Sequence, residues 1–123
     1  MIKVYMSGPI NSPVLSGRTA EDHKAAFADL KVWLGRNYGN WETVNPCEIG
    51  TTCLDPKCGP FDGHDWNCWL KADLREMLTC DAILLLPEWE QSAGALLEKN
   101  VAMAVGMAPY FATRHNEKGW VIR

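Results

Sequence analysis

The sequence predicts an α/β fold, a doubly wound and mostly parallel sheet of four to five strands with helices on both faces. Strand-like and helix-like segments alternate along the 123 residues, which implies parallel strands joined by right-handed crossovers. Residues 82–86 are an uninterrupted apolar run, as expected of a strand buried on both faces. Residues 2–6 form a strand that runs into a Gly-Pro turn, which is typical of an inner strand with a ligand loop at its tip.

The other elements are predicted from caps and periodicity. The first helix begins near Ser16 or Thr19 and ends at Gly35 or Gly39, and its apolar face carries Phe27, Leu30, Trp33 and Leu34. Residues 41–45 form a short strand closed by a proline. The second helix covers 65–79, with Asp65 as its N-cap, and the third covers about 92–107.

Strands at residues 110–112 and 119–122 complete a sheet of the flavodoxin or Rossmann type. The chain is then a single domain, 1–123, with an inserted loop at about 47–64.

Composition excludes several classes of protein. Hydrophobic residues make up 47% and charged residues 22%, as in ordinary globular domains, and no apolar run is long enough to span a membrane. A net charge of −3 argues against a nucleic-acid partner, which normally requires a basic face. Five cysteines without a secretion signal predict reduced thiols and a cytoplasmic location.

Two carboxylates stand where apolar residues would be expected. Glu98 shares a predicted helix face with Gly94, Val101 and Val105, with Leu97 beside them, so it should lie on or next to the surface that packs on the sheet. Asp73 lies in the middle of the apolar stripe of the second helix. A buried carboxylate is costly unless it is paired, hydrogen-bonded or used in a cleft.

These carboxylates are predicted to meet at one cleft. In such a fold the carboxyl ends of the strands and the start of the third helix converge, which would bring Tyr5, Gly8 and Ser92 to the same place. Ser92 is a predicted N-cap, and a helix N-terminus favours anions. Two carboxylates beside such a site suit cleavage of a glycosidic bond, although the pattern alone does not make the substrate a sugar.

Several segments together resemble the nucleoside 2-deoxyribosyltransferase superfamily, which includes the 2′-deoxynucleoside 5′-phosphate N-hydrolases, and in particular its short, often phage-encoded members. They are the run Val-Tyr-Met-Ser-Gly-Pro at 4–9, Val-Asn-Pro at 44–46, Asp-Leu at 73–74 with an aspartate at 81, and Ser-x-Gly-x-x-x-Glu at 92–98. Their order and spacing span most of residues 2–107.

The resemblance implies a role for each matching residue. Glu98 matches the nucleophile that attacks C1′, Asp73 the second catalytic acid, and Tyr5 the tyrosine that positions the nucleophile. Ser92 and Gly94 match the loop that holds a 5′-phosphate, and Gly8 the glycine that lets the backbone pass close to the ligand. The implied partner is a small nucleoside or nucleotide, with no cofactor, and the implied assembly is a homo-oligomer built on the second and third helices.

A different class of function stays open. Pro9 stands where the hydrolases carry a phosphate-binding serine, and Leu96 where a second glycine is common. These departures and the inserted loop favour an alternative in which the same cleft binds a nucleotide or nucleotide signal without turnover. A structural or interaction protein would explain the six tryptophans but not two inward carboxylates.

Each residue also has a purely structural interpretation. Glu98 could be a partly exposed residue paired with Lys99 or with a neighbouring chain. Asp73 could be a buried cap, or a partner for the Tyr5 hydroxyl or a backbone amide. Asn45 could line the pocket, although Asn-Pro commonly opens a turn. Trp66 and Trp69 are more typical of a core or an interface, and Trp89, in the loop before Ser92, is the best candidate for stacking on a base.

The cysteine-containing loop has ligands of the kind that zinc prefers. Its candidates are Cys53, Cys58, His64 and Cys68, but their spacing matches no tight Cys-x-x-Cys pair. Free or buried thiols are therefore the default interpretation, and no metal site is predicted.

Overall fold

The computed structural model describes residues 1–10, 19–49 and 66–123, with side chains of the last range from residue 69 onward. The strands within these ranges are β1 (Ile2–Ser7), β2 (Trp41–Val44), β3 (Ala82–Leu85), β4 (Ala108–His115) and β5 (Gly119–Ile122). The helices are α1 (Ala20–Asn37), α2 (Trp66–Met77) and α3 (Ala93–Ala104). Short 3₁₀ turns occur at Pro46–Glu48 and Trp89–Gln91.

The strands form one five-stranded sheet in the order β2-β1-β3-β4-β5. The first four are mutually parallel and β5 is antiparallel to β4, so the predicted mostly parallel, doubly wound fold is confirmed. Since β1 lies between β2 and β3, the chain winds outward in both directions from the β1–β3 pair. In open α/β sheets, ligands bind outside the carboxyl ends of the strands at such a switch point.

Alternate residues of β1 face opposite layers of the core. Val4 and Met6 pack with Phe27 and Leu30 of α1, whereas Tyr5 packs with Ala102 of α3 on the other side. This period of two follows from strand geometry and places helices on both faces, as predicted. It also places Ser7, two positions after Tyr5, on the side of the sheet that α2 and α3 cover.

Helix α1 begins after Thr19, one of the two predicted N-caps. The Thr19 hydroxyl accepts a hydrogen bond from the Asp22 amide, and the Asp22 carboxylate accepts one from the Thr19 amide, which completes a capping box. Gly35 lies inside the helix, which ends at Asn37, shortly before Gly39.

The face of α3 differs from the predicted one. Its buried residues are Ala95, Glu98 and Ala102, whereas Leu97 is 37% exposed and Val105 56% exposed. The helix ends at Ala104 rather than near 107, and Gly106 follows with a φ of 80°, so Val105 lies beyond the packed turns. The prediction was wrong about these apolar neighbours and correct in placing Glu98 on the inner face.

Other boundaries shift by smaller amounts. Helix α2 ends at Met77, two residues before the predicted end, and Leu78 beyond it is exposed. Strand β4 is longer than the predicted 110–112 and begins at Ala108, so that it includes Pro109. Ser16, Asp65, Cys53, Cys58, His64 and the side chains of Trp66 and Cys68 lie outside what the structure describes, as does most of the predicted loop.

Gly8 is held by close packing at the tip of β1. A Cβ at this position would lie 2.9 Å from the Leu86 Cβ and 3.4 Å from the Phe27 Cζ. Because the Leu86 Cβ is close to the backbone, it cannot swing away, and we expect Gly8→Ala to lower the free energy of unfolding by about 1–3 kcal/mol.

Gly35→Ala is the matched control for this prediction. A Cβ at Gly35 meets nothing within 4 Å, and alanine favours a helix interior by up to about 1 kcal/mol. In urea unfolding, the free energy of unfolding should therefore fall for Gly8→Ala and rise for Gly35→Ala. Equal stability of Gly8→Ala and the wild type would contradict the packing described here.

Candidate functional site

A cavity of about 410 Å³ opens at the carboxyl edge of the sheet, beyond the ends of β1 and β2. It is bounded by the tip of β1, the first turns of α1, the turn after β2, helix α2 and the first turns of α3. Its described lining residues are Gly8, Ile10, Lys24, Pro46, Cys47, Trp69, Leu70, Asp73, Ser92, Ala93, Gly94, Ala95 and Glu98. The volume falls within the range of about 300–1,000 Å³ that is typical of small-molecule sites.

Glu98 is fixed in this cavity by two hydroxyl groups from one strand. The Tyr5 hydroxyl donates to Oε2 and the Ser7 hydroxyl donates to Oε1, each at 2.7 Å. The Glu98 residue is only 6% exposed. Lys99, its predicted partner in the structural interpretation, lies over the Trp89 ring instead. Glu98 is therefore a buried carboxylate with both oxygens held, and it borders a cavity.

Burial and hydrogen bonding act in opposite directions on Glu98. Burial raises the pKa of its carboxyl group, and the hydrogen bonds from Tyr5 and Ser7 oppose that rise. The pKa of Tyr5 is raised far above its usual value by burial first, and then by the nearby Glu98 charge. Tyr5 therefore stays protonated and remains a hydrogen-bond donor to the carboxylate.

Asp73 lines the same cavity from α2. Burial, and then the charge of Glu98, raise the pKa of its carboxyl group from 3.8 to about 7. Its Oδ1 atom is buried and has no hydrogen-bond partner among the described residues. Two hydroxyls favour the charged form of Glu98, whereas Oδ1 of Asp73 has no donor among the described residues, so Asp73 is the more readily protonated of the two carboxyl groups.

The start of α3 forms another wall of the cavity. The Ser92 hydroxyl accepts from the Ala95 amide at 3.2 Å, so the predicted N-cap is confirmed. Ser92 and Gly94 both line the cavity. First-turn amides of a helix have no carbonyl partner within the helix, and together with the helix dipole they favour an anion.

Other predicted site residues lie elsewhere. Pro9 lines a separate cavity of about 190 Å³ on the α1 side of the sheet. Asn45 is buried, and its side chain accepts from the Cys47 amide as the cap of the 3₁₀ turn. Trp89 packs against Phe111 and beneath Lys99, away from the large cavity. The structure thus brings Asp73, Glu98, Gly8, Ser92 and Gly94 together at the cavity, with Tyr5 behind Glu98.

Sequence reasoning missed the contributions of Ser7, Lys24 and Cys47. Ser7 lies two residues after Tyr5, so strand alternation could have placed both hydroxyls on one face. Lys24 and Cys47 line the cavity from α1 and the turn after β2, and neither position carries a periodic signal. The pKa of the Cys47 thiol is raised to about 11, mainly by burial and despite the nearby Lys24, so the thiol is neutral.

Among the side chains that the structure describes, those of residues 1–10, 19–49 and 69–123, there is no group of three suited to hold a metal ion. Cys47 and Cys80 are free cysteines. In the same ranges, no helix has the length and apolar character needed to cross a membrane.

One known protein family matches the chain. The sequence model of DUF4406, a domain of unknown function, matches residues 40–110, which is more than half of the 123 residues. The chain belongs to the DUF4406 family. The match runs from β2 to the beginning of β4, so the DUF4406 region contains Asp73, Ser92, Gly94 and Glu98, while Tyr5 and Ser7 precede it. No curated protein and no solved structure matched the chain.

Proposed function

We propose that this DUF4406 protein cleaves the base–sugar bond of a nucleoside or nucleoside 5′-monophosphate. It would act as an N-glycosidase or a deoxyribosyltransferase, with a deoxynucleoside as the preferred substrate class. The observation that carries the proposal is the Glu98 carboxylate, which is buried, held by two hydroxyls and placed in one cavity with Asp73. Resemblance to the nucleoside 2-deoxyribosyltransferases supports the assignment of a sugar substrate.

In the proposed reaction, Glu98 acts as an ionised nucleophile and Asp73 acts as a general acid. Ionised Glu98 attacks C1′ of the sugar, the C1′–N bond breaks, and its electron pair leaves with the base. Protonated Asp73 gives its proton to the departing nitrogen. Water, deprotonated by Asp73, then attacks C1′ and releases Glu98. In a transferase, a second base takes the place of water.

The test is direct measurement of base release. The protein is incubated with a panel of nucleosides and 5′-monophosphates, in ribo and deoxy forms, and free bases are separated by chromatography. Release from at least one deoxynucleoside or its monophosphate supports the proposal. Ligand-induced thermal stabilisation without any base release would instead favour the alternative, a nucleotide-binding module.

Lys24 supports a phosphate-bearing substrate. It is the only cation among the described lining residues, in a cavity that also holds two carboxyl groups. A phosphate in the cavity needs a compensating positive charge, which Lys24 and the start of α3 can supply. We expect Lys24→Gln to raise KM for a 5′-monophosphate about three- to tenfold and to leave KM for the nucleoside unchanged.

Lys118→Gln is the control for this prediction, because Lys118 lies in the turn between β4 and β5 and does not line the cavity. KM is measured by steady-state kinetics for the wild type and both variants, with a nucleoside and its 5′-monophosphate as the two substrates. An equal rise in KM for both substrates would show that Lys24 does not act on the phosphate.

A homo-oligomer, a cytoplasmic location and a phage origin remain part of the proposal. Exposed apolar residues on α2 and α3 support association of two copies through these helices. They are Trp69, Leu96, Leu97 and Met103.

A further inference from the structure

We propose that Ser7 is a positioning residue for Glu98, and that Ser7 and Tyr5 together fix the carboxylate in the orientation from which it attacks the sugar. This inference rests on the proposed function. It assigns to Ser7 a task that neither the family match nor the resemblance to the deoxyribosyltransferases provides.

The geometry gives each hydroxyl its own oxygen of Glu98. Ser7 donates to Oε1 and Tyr5 donates to Oε2, both at 2.7 Å. The two residues alternate with Met6 on β1, so both side chains project from the same face of the sheet. One long side chain and one short side chain from a single strand thus reach both oxygens of a carboxylate on α3.

Packing within the sheet does not require a serine at position 7. It is 0% exposed and pairs in register with Leu85 of β3, which belongs to the apolar cluster beneath α3. β-branched apolar residues suit such a position better, and a buried hydroxyl is costly unless it is hydrogen-bonded. The contact with Glu98 satisfies this hydroxyl.

Two donors on one carboxylate have two consequences. They remove rotation of the carboxylate plane, so that less ordering remains to be done when a sugar ring arrives. They also favour the ionised form, because hydroxyls donate to the charged form. Short hydrogen bonds to a charged group contribute more than neutral ones.

The surroundings of Glu98 make the second donor necessary. From α2 it faces Asp73, whose charge would oppose its own, and Lys24 of α1 is the one cation among the described residues that line the cavity. Cys47 from the turn after β2 is a neutral thiol there, and Tyr5 from β1 is a neutral phenol. Without Ser7, Tyr5 would be the one hydroxyl among the described residues that still donates to Glu98, and the preference for a proton on Asp73 would weaken.

The experiment compares Ser7→Ala with wild type by two readouts. We expect kcat for base release to fall about ten- to a hundredfold with KM nearly unchanged, which corresponds to loss of one hydrogen bond to a charged group. We also expect the titration of the Glu98 carboxyl carbon to move to higher pH, as followed by ¹³C NMR on glutamate-labelled protein and assigned with Glu98→Gln.

Conservative and remote variants complete the design. Ser7→Thr keeps a hydroxyl and should recover most of kcat. If the alanine variant does not fold, Ser7→Cys, a weaker donor of similar size, takes its place. The titration of Glu98 in this variant should move to higher pH than in the wild type, but by less than loss of the donor would cause. Thr43→Ala removes a hydroxyl from β2 outside the cavity and should change neither readout.

The outcomes separate this inference from the proposed function. If the wild type releases no base but Ser7→Ala still shifts the Glu98 titration, the proposed activity is wrong and the hydrogen-bonding role of Ser7 stands. If the wild type releases base and Ser7→Ala changes neither kcat nor the titration, Ser7 is not a positioning residue and the proposed function is untouched.

Discussion

Glu98→Gln should abolish base release while leaving the fold intact. The amide has nearly the shape of the carboxylate, so it still fits between Tyr5 and Ser7, but it carries no charge and cannot form the glycosyl ester. Loss of a catalytic nucleophile typically lowers kcat by at least about a thousandfold. The rate of base release and the melting temperature should be measured on the same preparation.

The control for this variant is Glu90→Gln. Glu90 is exposed in the 3₁₀ turn just before α3, and it does not line the cavity. It should keep both wild-type turnover and wild-type melting. Equal turnover by Glu98→Gln and the wild type would show that Glu98 is not the nucleophile, regardless of the melting temperature of the variant.

Asp73→Asn should lower activity and raise stability at neutral and alkaline pH. As the proton donor to the leaving base, Asp73 should contribute about a hundred- to ten-thousandfold to kcat. Its pKa in the folded protein is about 7, against a usual value of 3.8. The folded state therefore holds a proton that the unfolded state has lost between these two values, and stability falls as pH rises through this window.

An asparagine removes this penalty because it has no charge to desolvate and none to repel Glu98. The melting temperature of Asp73→Asn relative to wild type should therefore rise between about pH 4 and 7 and stay higher above pH 7. Glu76→Gln, an exposed change on the same helix, should show no such trend. A pH-independent difference in melting temperature would contradict the assignment of the proton to Asp73.

The fold and the two carboxylates could be predicted because their signals are local. The apolar run at β3 and the cap at Ser92 are visible in a few neighbouring residues, and the structure confirms both. Glu98 could be assigned to an inner helix face because its position follows from a period of 3.6 residues, even though the neighbours assigned to that face were partly wrong.

The remainder of the site depends on contacts between distant segments. Ser7 and Glu98 are separated by 91 residues, and nothing in the local sequence shows that their side chains meet. Trp89 was predicted near the ligand from its place in the loop, but the ring packs on Phe111 of β4 instead. Lys24 reaches the cavity only because α1 begins at the carboxyl edge, above the tip of β1.

The most direct test is a crystal structure of Glu98→Gln with a deoxynucleoside 5′-monophosphate bound. We expect the sugar in the large cavity, with C1′ about 3–3.5 Å from the side chain at position 98 and the base nitrogen facing Asp73. The phosphate should lie between Lys24 and the start of α3. A nucleotide bound outside this cavity, or a sugar turned away from position 98, would contradict the account.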